Sequence, residues 1–163
     1  MIIFINGSIN AGKSTVAKIL AKKLPSVALV EIDGLRNMVE WMPMEQAIPI
    51  NLENAISVIK NFDKRGLNVI VPYPLSRENY DYIIGEFKNL ASDIYFFTLA
   101  PKLQKALTNR GKRKIKKSEK DRIKYHYEIG IHNPSFGEII DNSEQTPEET
   151  AKIILHGIPD KNQ

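Results

Sequence analysis

Gly7-Ser8-Ile9-Asn10-Ala11-Gly12-Lys13-Ser14 decides the reading of this chain, because it matches the pattern G-x-x-x-x-G-K-S/T at every fixed position. The spacing has a physical basis. The two glycines let the backbone double back, so that consecutive amide N–H groups converge on one phosphate. A helix opening near Gly12 adds its N-terminal dipole, equivalent to roughly half a positive charge. Lys13 supplies a point charge for the outer phosphates, and the Ser14 hydroxyl is placed to ligate Mg²⁺. The candidate nucleotide-binding residues are therefore Gly7, Asn10, Ala11, Gly12, Lys13, Ser14 and Thr15.

Working outward, the motif directly follows an apolar run, Ile2 to Ile5, and opens an amphipathic stretch in which Val16, Ile19, Leu20 and Lys23 keep the helical period until Pro25. The same alternation continues along the chain. Strands are expected at residues 2–6, 27–32, 68–71, 93–99 and Glu138–Ile140. Their continuous apolar character suits strands buried on both faces of a parallel sheet. Between them, Leu52, Ala55, Ile56, Ile59 and Phe62 form one helical stripe. Tyr80, Ile83, Ile84, Phe87 and Leu90 form another, with Ser76 as its N-cap. Thr146-Pro147-Glu148-Glu149 is a capping box with Pro at the first helical position. Leu35, Met38, Val39 and Met42 also follow the helical period and are expected in the core.

At 163 residues the chain is read as a single domain, residues 1–163, on a prior of about 150 residues per domain. Apolar residues at 42% and charged residues at 26% argue against disorder and fibrous repeats. No apolar run approaches the ~18 residues that cross a bilayer. The start has no basic n-region and only four apolar residues after Met1, unlike a signal peptide. With no cysteine, disulfides, thiolate metal sites and cysteine nucleophiles are excluded, and a cytoplasmic location is expected. The three histidines His126, His132 and His156 lack metal-ligand spacing and are read as structural or exposed.

The net charge of +4 is unevenly spread. Residues 102–124 carry eleven basic and two acidic side chains, leaving the rest of the chain at −5. This segment, with a helix expected over 101–109 ahead of it, reads as a lid over residues 110–122. Arg110 and Arg113 are its candidate phosphate-contacting arginines, with Arg110 also the candidate catalytic one, because guanidinium forks match developing phosphoryl charge. A basic stretch that keeps the protein soluble is the plainer reading. Asp33, expected at the carboxyl end of the second strand, is the candidate catalytic carboxylate and a second candidate Mg²⁺ ligand, either accepting a hydroxyl proton or reaching the metal through water. Capping the following helix is the plainer reading of Asp33, set behind the functional one because of its expected place at a strand end near the loop. Arg36 lies one turn on, toward the same cleft or toward solvent. Trp41 could stack on an acceptor ring, cover the lid or meet a second subunit, and Arg77 could meet acceptor or phosphate.

At these residues the chain resembles a family. GSINAGKST, the later VEIDGLR and the basic R-G-K-R segment are similar to the small P-loop kinases, a group that includes the shikimate, gluconate and adenylylsulfate kinases and chloramphenicol phosphotransferase. Trp41-Met42-Pro43-Met44, a Met-Pro stretch soon after the acidic residue, looks like the last of these. The resemblance implies an α/β fold of P-loop NTPase, nucleotide-kinase type: a five-stranded parallel sheet of order 2-3-1-4-5, flanked by helices, with a basic lid. It implies ATP with Mg²⁺ as donor, Asp33 as catalytic carboxylate beside Lys13, Arg110 and Arg113 at the phosphates, and residues 142–147 beside the adenine. The chain departs from the family after the third strand. An acidic residue often follows there, but this chain reads Pro72-Tyr73-Pro74 and has no carboxylate until Glu78.

The expected activity is ATP-dependent transfer of the γ-phosphoryl group to a hydroxyl of a small metabolite or antibiotic. Absence of an N-K-x-D sequence argues against a GTPase. A nucleoside or nucleotide kinase, a polynucleotide 5′-kinase using the basic segment, and a non-catalytic nucleotide switch are the alternatives. The expected partners are ATP and a small acceptor, with no membrane, in a monomer or homodimer; nucleic acid is the less favoured partner and stays open with the polynucleotide-kinase alternative.

Overall fold

Strand β1 (Ile2–Gly7) is buried along its whole length, and its alternating side chains feed two separate cores. Ile2 and Phe4 enter one cluster, and Ile3 and Ile5 the other. A strand buried on both faces belongs at the centre of a parallel sheet. The computed structural model, which describes residues 1–109 and 114–159, places it there. β2 (Val27–Leu29), β3 (Asn68–Pro72), β4 (Ile94–Leu99) and β5 (Glu138–Ile140) complete a five-stranded sheet of order β2-β3-β1-β4-β5, every pairing parallel. The fold class and strand order are those expected. Because every strand runs the same way, the loops after β1 and β3 emerge at one edge, where open α/β sheets bind ligands.

One face of the sheet is covered by α1 (Lys13–Lys23) and α7 (Pro147–His156), which pack on each other. Val16, Ala17, Leu20, Ala151 and Ile154 fill that side. The other face carries α2 (Ile32–Arg36), α3 (Met44–Asp63) and α4 (Arg77–Glu86), with Leu52, Ala55, Ile56, Ile59 and Ile83 turned inward. Both expected caps form. The Ser76 hydroxyl accepts from the Asn79 N–H at 3.2 Å, and Thr146 and Glu149 make the reciprocal capping box.

The structure corrects four local expectations. β2 ends at Leu29 instead of residue 32: the Val30 N–H still donates to Ile70 O at 2.9 Å, but the chain then turns into α2 with Glu31 at its N-cap. Asp33 therefore sits in the first turn of a helix and not at a strand end. Of the stripe Leu35, Met38, Val39 and Met42, Leu35 packs against the core, Val39 and Met42 are half-buried, and Met38 is turned out. The α-helix tightens after Arg36 into a 3₁₀ turn (Asn37–Val39), which changes the angular period and leaves Met38 76% exposed. α3 begins at Met44, well before the Leu52 stripe, and accommodates Pro49 on an exposed turn at the loss of one ladder bond. The helix expected over 101–109 is the short α5 (Leu103–Ala106), and α6 (Lys117–Glu128) follows the basic segment.

Candidate phosphate-binding cleft

The loop between β1 and α1 takes backbone conformations its residues were chosen for. Gly7 has φ 135°, and a Cβ there would meet the Leu99 carbonyl oxygen at 2.4 Å. Gly12, at φ 99°, is the N-cap of α1. Asn10 is left-handed at φ 63°, a conformation Asn tolerates better than most L-residues. Its side-chain amide donates to Ala106 O at 2.8 Å and Thr108 O at 2.9 Å, fastening the loop to the start of the basic segment. The first turn of α1 has no side-chain cap and no acidic residue, so its open N–H groups and dipole favour an anion.

Above this turn lies a cavity of about 530 Å³. Ile9, Asn10, Gly12, Lys13, Ser14 and Thr15 form its floor. Asp33 and Pro72 close one side, and Asn142, Gln145 and Pro147 the other. The Lys13 ammonium donates to Ser8 O at 2.8 Å, and the Asn142 amide donates to Ala11 O at 2.9 Å. Asp33 thus comes to the same cavity as Lys13 and Ser14 despite its changed secondary structure. Residues 142–147, expected beside a nucleotide base, supply the opposite wall.

Other expected site residues are not brought there. Trp41 is 80% exposed and lines no part of the cavity. Arg77 is ion-paired to Asp81 at 2.9 Å and donates to Ser135 Oγ at 2.9 Å, within a separate groove under residues 129–136. That pairing gives its charge a partner at this groove, and Arg77 does not line the cavity over the phosphate loop. Arg36 ends α2 with a buried Nη1 that has no hydrogen-bond partner among the described residues, outside the cavity lining. Arg110 and Arg113 lie outside the described residues.

Sequence reasoning missed several groups. Tyr73, at the position after β3 where a carboxylate was sought, is buried with Asp33 and Arg122 in its electrostatic neighbourhood. Burial, then the Asp33 charge, pushes its phenol above the ordinary value, with Arg122 opposing. Arg122, on α6, reaches the Sδ of Met44 at 3.1 Å. Four residues on, His126 is 5% exposed, with Nδ1 3.3 Å from the Ser8 hydroxyl. Burial first, then Lys13 and Arg122, lower its imidazole pKa to about 4, so it is neutral at pH 7. The arrival of Arg122 and His126 on one helical face, four residues apart, was legible as a pattern, but which face met the loop was not. Asn6 is buried before the loop: its amide donates to Thr98 Oγ1 at 3.0 Å and Ile131 O at 3.2 Å, and its carbonyl accepts from the Leu75 N–H at 2.7 Å.

Of the side chains that line the cavity, Ser14 and Asp33 are the two expected to hold a divalent cation, and Asp33 is the carboxylate among them. Among the described residues no cluster of three or more His, Asp or Glu side chains forms. This sparse donor set fits Mg²⁺, which keeps several waters and takes one or two protein oxygens plus phosphates. Among the described residues, no helix is long and apolar enough to cross a membrane.

No protein-family model matches the chain, and neither does any curated protein. Solved structures do resemble it. The tunicamycin resistance protein of Deinococcus radiodurans superposes with a TM-score of 0.67 at 20% identity, covering 96% of this chain and 94% of that one. A sugar kinase from a Janibacter species superposes with a TM-score of 0.70 at 17% identity, covering 95% and 92%. The APS kinase of Mycobacterium tuberculosis, in complex with AMPPNP and APS, gives 0.67 at 20% identity, covering 95% of each chain. At these identities the likeness is one of fold, and that fold is the parallel-sheet architecture of the P-loop kinases.

Proposed function

We propose that this protein is a small-molecule kinase that transfers the γ-phosphoryl group of ATP to a hydroxyl. The observation that carries the reading is the shared cavity of about 530 Å³, in which Asp33 faces the loop holding Lys13 and Ser14. The kinases among the neighbours of like fold support it.

In this reading the loop amides and the α1 N-terminus bind the β- and γ-phosphates, and Lys13 turns from Ser8 O to the transferring group. The acceptor oxygen attacks the γ-phosphorus in line, the bond from that phosphorus to the β,γ-bridging oxygen breaks, and ADP leaves. The hydroxyl proton passes to the Asp33 carboxylate. Residues 142–147 hold the base end of the nucleotide. Ser14 and Asp33 would hold Mg²⁺, directly or through water, and the cation would neutralise phosphate charge. Arg110 and Arg113 would complete the phosphate contacts from the basic segment.

The test is transfer of label from ATP carrying radioactive γ-phosphate, with Mg²⁺, into a pool of sugars, hydroxy acids, nucleosides, antibiotics and RNA. Label in one small hydroxyl compound, lost in Lys13→Ala, is the expected result. Label in RNA would replace this reading with a polynucleotide kinase, and ATP binding without transfer to any pool member would favour a switch.

A further inference from the structure

Ser8 is the junction of the phosphate-binding loop. Its carbonyl accepts the Lys13 ammonium at 2.8 Å and the Ala11 N–H at 3.2 Å, so its backbone orientation sets both the lysine and the turn that follows. Its side chain is fully buried, and the hydroxyl meets His126 Nδ1 at 3.3 Å. His126 is itself fixed. It lies near the end of α6, its carbonyl accepts from the Ile131 N–H at 3.0 Å, and Ile131 O in turn accepts from the Asn6 amide at 3.2 Å. This chain of bonds runs from the strand before the loop, through α6, and back into the loop from beneath.

The chemistry at this point admits few side chains. Lys13 on α1 and Arg122 on α6 are the charged groups that face the imidazole, and both are cationic. A lysine or arginine in place of His126 would stand as a third cation in a buried site. An aliphatic side chain would leave the buried Ser8 hydroxyl unpaired. A neutral imidazole exchanges a hydrogen bond with the hydroxyl and adds no charge.

We propose that His126 is a positioning residue of the phosphate site: through Ser8 it holds the loop in the conformation that receives the nucleotide phosphates. It touches neither nucleotide nor acceptor and acts only through the loop. The proposal rests on the phosphate-binding reading of the cleft and adds α6 to the machinery of that site.

The experiment measures affinity for Mg·AMPPNP by calorimetry, with thermal melting of each variant alongside. Ser8→Ala and His126→Leu are each expected to weaken binding about five- to tenfold, the loss of one buried hydrogen bond. The double variant should be no weaker than the worse single one, because both remove the same bond. His126→Asn places an amide oxygen where Nδ1 stood and should restore affinity to within about twofold of wild type. A merely structural role would not give this pairing or this rescue. If His126→Leu fails to fold, Ser8→Ala and His126→Asn carry the test alone. Folded single variants that bind like wild type, or losses that add in the double variant, would overturn the proposal. If wild type does not bind Mg·AMPPNP, the phosphate-site reading falls and this inference with it.

Discussion

At the scale of single residues, the site separates a carboxylate that faces the cavity from an imidazole that supports its floor. Asp33→Asn keeps the shape of the side chain and removes the proton acceptor. It should lower turnover about 10²- to 10⁴-fold while leaving ATP affinity within a few-fold, measured by single-turnover label transfer beside calorimetry. Unchanged turnover would remove Asp33 from the base role. His126 makes a prediction about pH. Its folded-state pKa of about 4 lies below the unfolded value of 6.5, so between these values the unfolded chain binds the extra proton. Stability is therefore complete above pH 6.5 and falls as the pH drops toward 4. From pH 7 to pH 5 the loss should be roughly 1–2 kcal/mol in urea unfolding, and His126→Asn should flatten it. An equal slope in both proteins would exclude His126 as its source.

At the scale of elements, α7 owes its start to its cap. The Thr146 hydroxyl accepts from the Glu149 N–H at 3.2 Å, and the Glu149 carboxylate returns a contact to the Thr146 N–H at 2.8 Å, which also holds that carboxyl below its usual pKa. Thr146→Ala should cost about 1 kcal/mol, seen as a melting temperature lower by about 2–4 °C. Because α7 packs on α1, which opens at the phosphate loop, the element also supports the wall formed by Asn142, Gln145 and Pro147. No change in melting temperature would show that the helix starts without its cap. By contrast α2 has no side-chain cap and runs five residues before the 3₁₀ turn. Its position comes from packing against α3 and not from its own propensity.

At the scale of the whole molecule, the cleft sits where the loop after β1 and the end of β3 converge with α1, α2 and the segment leading into α7. Ligand binding to such a convergence stabilises the entire fold by mass action. With Mg·ATP at about 100 times its dissociation constant, the gain should be about 2.7 kcal/mol, or roughly 5–10 °C in melting temperature for a chain of this size. Lys13→Ala should lose most of that shift while melting normally without nucleotide. Equal shifts in wild type and Lys13→Ala would show that the nucleotide is held elsewhere.

The order of the five strands was implied by the resemblance to the small P-loop kinases; the sequence by itself determined the phosphate loop, the apolar runs that form the strands, and the caps at Ser76 and Thr146. Each of these rests on local chemistry: glycines where a side chain cannot fit, apolar runs too continuous for a half-exposed strand, hydroxyls where orphan N–H groups need a partner. Only the tertiary structure decided that Asp33 reaches the cavity from a helix, that Tyr73 is buried in the neighbourhood of Asp33 and Arg122, and that Arg77 is held by Asp81 and Ser135. It alone brought His126 from more than a hundred residues away to Ser8 of the loop, and Arg122 to Met44 and the neighbourhood of Tyr73. Periodicity reports which side of a helix is apolar, but not which polar group on it another element will meet. The Met38 stripe shows the same boundary: Leu35 packs on the core, but the change from α to 3₁₀ after Arg36 leaves Met38 in solvent, and no period in the sequence records where that change falls.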